Sequence, residues 1–103
     1  MNINDATIQE IQHLTGARLT LGTHMASIRL GEEWSQSKMA NILKVSRQFI
    51  CDLEHGRRTI SPKMAEAFAL KLGYSPRQFV QLCLKDWFEK QDLHYHVDLK
   101  EAA

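Results

Sequence analysis

"WSQSKMANILKVSRQFICDLEHGRRTIS", Trp34 to Ser61, is the stretch that decides the fold. Ser35 stands before "QSKMANIL" and Ser46 before "RQFICDLE". A serine hydroxyl at such a place accepts from a backbone N–H of the first turn, so each serine marks a helix start. Met39, Ala40 and Leu43 recur at i, i+1 and i+4 and form one inward face. On a wheel of about 100° per residue, Ile50 and Leu53 share the inner side of the next helix, with Phe49 beside them. Gln48 and Asp52 point the opposite way, and Arg47 and Cys51 lie on a shoulder. Gly56 follows the second helix as a stop. Two short helices are thus joined by a turn around Lys44 and Val45.

The pattern continues outward from this pair. Thr23 to Leu30 places Met25, Ala26, Ile28 and Leu30 on a helix that Gly31 ends. "SPKMAEAFALKLG" reads as a helix with Ser61 as cap, Pro62 at the first position and Gly73 beyond the end. "SPRQFVQLCLKDWF" repeats the formula from Ser75 and Pro76. Five short helices with tight turns predict an all-α domain over 20–88. An extension, 1–19, precedes it and a tail, 89–103, follows. Within the extension, Ile8, Ile11 and Leu14 ahead of Gly16 predict one more short helix. "ARLTL" and "LHYHVDL" alternate with period two, which predicts short N- and C-terminal strands. Such strands need each other, within one chain or between two subunits. The other reading of the last ten residues is a flexible tail.

At 103 residues, 44% apolar and 24% charged, the chain is expected to be one globular domain. No apolar run approaches the roughly 20 residues of a membrane span. "MNINDATIQE" lacks the apolar run of a signal peptide, so a cytoplasmic location is expected. Cys51 and Cys83 have no metal-type spacing and are expected as free thiols. The net charge of +1 is unevenly spread. Residues 35–63 carry Lys38, Lys44, Arg47, Arg57, Arg58 and Lys63 against Asp52 and Glu54, whereas both ends are acidic. A basic middle suits a polyanion, although a solvated face has the same look.

Two helices joined by a tight turn are the helix-turn-helix arrangement, whose second helix lies in the DNA major groove. Its first turns face base edges. Arg47 suits guanine, Gln48 suits adenine, and Asp52 can accept from cytosine N4.

The same residues carry a resemblance. Ser35, Gln36, Met39 in a leucine position, Ala40, Val45, Ser46, Ile50, Glu54, Gly56 and Arg58 stand at the spacing of one family pattern. Over about residues 20–84 the chain resembles the lambda-repressor-like (Cro/repressor, XRE) helix-turn-helix proteins. The resemblance implies a phosphate grip by Gln36 and a DNA-contacting place for Ser46 at the head of the reading helix. It implies base contacts from Arg47, Gln48 and Asp52. His55, Arg57 and Arg58 fall in the loop that approaches the sugar-phosphate backbone. Arg29 and Glu54 resemble a structural ion pair between the first and third helices. The implied partner is double-stranded operator DNA, bound by a homodimer. Small proteins of this family also resemble antitoxins, for which the partner is a toxin or another protein. Two departures stand out. Lys44 occupies the turn position usually held by glycine, and Asp52 is a poor neighbour for phosphate, so it either selects a base or repels wrong approaches.

Catalysis is not expected. Ser46 is used as a cap, and Cys51 and His55 lie on a thin exposed helix with no converging third group. His94 and His96 share one face of the tail, and His13 and His24 stand alone, so no metal site and no cofactor is expected. The competing role is protein binding. Phe79, Val80, Cys83 and Trp87 form one face of the last helix, and Leu82, Leu84 and Phe88 widen it beyond a single core stripe. That surface either meets a partner, with the tail adding as a strand, or is covered by the chain's own extensions.

Overall fold

The structure, a computed structural model, describes residues 19–102. Five α-helices run through them: α1 Leu21–Gly31, α2 Gln36–Leu43, α3 Arg47–Glu54, α4 Pro62–Leu72 and α5 Pro76–Lys90. The chain divides into two compact units, one ending at Arg58 and the other beginning at Thr59. The expected helix around Ile8, Ile11 and Leu14 lies outside the described residues.

In the first unit every helix start is made by a side chain. Thr20 and Thr23 form a capping box at α1, each hydroxyl serving the other's backbone N–H. Ser35 accepts from Lys38 N at 3.0 Å and Ser46 from Phe49 N at 3.0 Å. Each such cap is worth about 1 kcal/mol against alanine. Leu21, Met25 and Ile28 of α1, Met39, Ala40 and Leu43 of α2, and Ile50 and Leu53 of α3 are buried. The packing of α1 on α3 is close at Gly22, where a β-carbon would collide with the Leu53 carbonyl oxygen. Lys44 ends α2 in the left-handed region, φ 60° and ψ 42°, as its turn position implies. Val45 N then bonds back to Ala40 O at 3.0 Å, which closes the helix and aims the chain into α3.

In the second unit Ser61 and Ser75 cap α4 and α5, each followed by proline at the first position. Ala65, Phe68, Ala69 and Leu72 of α4 and Phe79, Leu82 and Cys83 of α5 are buried. The Ile60 carbonyl accepts from both Cys83 Sγ and Trp87 Nε1, each at 3.1 Å, and so ties the entry of the unit to α5. Burial pushes the Cys83 thiol up to about 11. Cys51 and Cys83 are both free thiols.

The expectation of terminal strands is corrected. Leu21 opens a helix, and Leu93 to Leu99 has no regular secondary structure. Alternation alone cannot make a strand, because its N–H and C=O groups need a neighbouring strand, and none exists among the described residues. The tail instead turns back along α5. Leu93 N bonds to Phe88 O at 2.8 Å, Tyr95 meets the Phe88 ring edge-on at 6.4 Å, and Arg77 Nη1 reaches Leu99 O at 3.4 Å.

Candidate nucleic-acid interface

The inward face of α3 is spent on Ile50, Leu53 and Glu54, so the rest of the helix meets solvent. Arg47 and Gln48 are exposed on its first turn and Asp52 follows one turn later. Ser46 is also exposed, with its hydroxyl engaged as the cap. Nothing acidic lies in the first turn, so the helix dipole and Arg47 act together to present positive potential there.

Behind this surface sits a buried polar cluster. Arg29 Nε donates to Glu54 Oε2 at 2.7 Å and Arg29 Nη2 to Glu54 Oε1 at 3.1 Å, a two-point pairing with side chains 6% and 0% exposed. Arg29 Nη1 donates to Trp34 O at 3.1 Å. Gln36 Nε2 also donates to Glu54 Oε1, at 3.1 Å. The Gln36 amide is therefore oriented from within. One amide hydrogen faces Glu54, which leaves the other hydrogen and the carbonyl oxygen for a ligand.

The starts of α2 and the flank of α3 enclose an open hollow of about 470 Å³. Ser35, Gln36 and Ser37 line it from the start of α2, Arg47, Cys51 and His55 from α3 and its C-cap, and Arg29 from α1. Backbone N–H groups at a helix start, hydroxyls, an amide and a guanidinium together suit a phosphate oxygen.

The loop residues are already engaged. Asp52 Oδ1 accepts from Gln48 Nε2 at 2.9 Å and from Arg57 Nε at 3.0 Å. These two hydrogen bonds, Gln48 first and Arg57 second, hold the Asp52 carboxyl below its ordinary value, and Asp52 in turn raises Arg57. Arg57 Nη2 also reaches Cys51 Sγ at 3.4 Å. His55 Nδ1 lies 2.8 Å from Cys51 O, within hydrogen-bond reach of that carbonyl. The Arg58 guanidinium lies 4.4 Å over the Phe49 ring.

Gln36, Ser46, Arg47, Gln48, Asp52, His55, Arg57 and Arg58 all belong to the first compact unit. Arg47 and Gln36 meet at one hollow, whereas Gln48, Asp52 and Arg57 form a separate bridge. Sequence reasoning missed that bridge and the Gln36–Glu54 bond. Gln48 and Asp52 at i, i+4 were a usable signal for the former. Ser37 was also missed as part of the hollow's rim. Among the described residues no cluster of three His, Cys, Asp or Glu side chains is placed to hold a metal ion. No helix among them is long and apolar enough to cross a membrane.

The helix-turn-helix family profile matches residues 25–79, from within α1 to the first turn of α5. Neither a curated protein nor a solved structure matches the chain. The profile covers more than half of the sequence and includes the whole α2–turn–α3 unit. A capped pair of short helices, a buried ion pair behind them and a polar outer face on the second therefore have one common account: the chain belongs to the lambda-repressor-like, XRE-type helix-turn-helix family of DNA-binding regulators.

Proposed function

We propose that the protein is a sequence-specific transcriptional repressor that reads the major groove of its operator with α3, as a homodimer in the cytoplasm. The observation that carries this reading is the division of α3 into a buried scaffold side and an exposed side bearing Arg47 and Gln48 at its start. Arg47 and Gln48 read base edges, with Asp52 beside them. Gln36, from the rim of the hollow, and the α3 start at Ser46 hold phosphates, and His55, Arg57 and Arg58 follow the backbone. Selection of bound duplexes from random DNA, with the mass of the complex measured alongside, tests it. The expected result is two half-sites about 10 base pairs apart, held by two chains. Recovery of unenriched sequences, or binding indifferent to salt, counts against it.

One observation favours a second role. Tyr95 is 72% exposed and Leu93 40% exposed on a tail that has no strand partner among the described residues. That strip suits a protein partner such as a toxin, by strand addition, which makes the chain an antitoxin or adaptor as well. Removing residues 91–103 should then abolish partner binding and leave operator selection unchanged. Loss of operator selection on truncation would assign the tail to DNA binding instead.

A further inference from the structure

We infer that Asp52 is a specificity brake: in the free protein its carboxylate holds both Gln48 and Arg57, and a duplex must displace it from both groups to use them. The inference rests on the DNA-reading role of α3 and deepens it. A single oxygen, Oδ1, accepts from Gln48 Nε2 at 2.9 Å and from Arg57 Nε at 3.0 Å. Gln48 lies in the first turn of α3 and Arg57 in the loop beyond its end, so one carboxylate couples a group that faces bases to one that faces phosphate. All three side chains lie on the surface, where the bridge is screened by solvent and adds little to folding. Its consequence is for binding. The Arg57 guanidinium is neutralised as long as Asp52 holds it, so a duplex of arbitrary sequence meets one less free cation. A correct site offers Gln48 a base edge as well as offering Arg57 a phosphate, and the two replacements together offset the lost bridge. Discrimination is thereby raised by weakening wrong complexes rather than by strengthening the right one.

The test is a cycle on the full chain with Asp52→Ala, Arg57→Ala and the double variant, each bound to the selected operator and to random duplex over a range of salt. Asp52→Ala should tighten random-duplex binding more than operator binding. It should also steepen the salt dependence by about 0.9 in log–log slope, one added phosphate contact, or about threefold in affinity between 50 and 200 mM salt. In the Arg57→Ala background that steepening should vanish. A gain that persists unchanged without Arg57 would show that Asp52 acts through its charge alone and would overturn the brake while leaving DNA reading intact. Absence of salt-dependent duplex binding by the unaltered protein would overturn both. Asp52→Asn, which keeps the shape and removes the charge, serves as the second variant. The side-chain amide resonances of Gln48 in the DNA-free protein give an independent reading. They should shift in Asp52→Ala, which removes the acceptor, and unshifted resonances there would overturn the bridge in solution.

Discussion

Two carboxylates on α3, two residues apart, do the same chemistry in opposite surroundings. Glu54 gathers Arg29 and Gln36, and Asp52 gathers Arg57 and Gln48. Each accepts from one guanidinium and one amide. Glu54 is 1% exposed, whereas the Asp52 side chain is 25% exposed. Burial removes water as a competitor, so the Glu54 cluster must stay paired and becomes scaffold. Water competes for every bond of the Asp52 cluster, so that cluster can exchange partners at little cost. The difference makes the first cluster scaffold and leaves the second open to exchange, as the proposed brake requires.

The largest expected effect breaks the buried side. Glu54→Ala leaves Arg29 charged and unpaired in the core and should lower stability by about 3–5 kcal/mol, read by chemical denaturation. A loss as small as that of a surface pair would remove the contrast. Next in size are the two glutamines. Gln48→Ala should relax preference at one base pair by about 1–3 kcal/mol, measured on operator variants. Gln36→Ala should instead weaken binding to all sequences alike, as a phosphate contact does. Equal losses on operator and random DNA for Gln48→Ala would remove the base-reading role. A smaller effect concerns the turn between α2 and α3. Lys44 is held at positive φ by its neighbours, so Lys44→Gly should raise the denaturation midpoint, with a gain of up to about 1 kcal/mol. The smallest is a pH effect. The Asp52 carboxyl is held below its ordinary value of 3.8, so the folded state favours its charged form. The bridge should be complete above 3.8 and lost as pH falls through the lower folded value. A titration of the Gln48 amide signals by NMR checks this, and a midpoint at or above 3.8 contradicts it.

The helices were legible because their signals are local. Ser35, Ser46, Ser61 and Ser75 each sit one position before a helix and bond three residues ahead, within reach of a pattern read along the chain. The outward set Arg47, Gln48 and Asp52 was legible for the same reason, since a helical wheel needs only the period. The tail misled. Alternation from Leu93 to Leu99 is a statement about two faces, and the hydrogen-bonding neighbour that makes a strand is not written in it.

By itself, then, the sequence determined the four serine-capped helix starts, the inward faces of α2 and α3, and the two-helix unit whose spacing names the family, whereas it began α1 two residues late at Thr23 and ended α5 two residues early at Phe88. Tertiary structure alone decided how the polar side chains share their partners. The Gln36–Glu54 bond spans 18 residues and the Arg29–Glu54 pair 25, so they exist only once α1, α2 and α3 pack. The Arg57–Asp52 bond needs the loop after α3 to fold back at Gly56, φ 76°. Local bonds follow from backbone geometry, which the chain carries in every turn. Bonds between elements follow from burial and competition with water, which only the assembled protein sets.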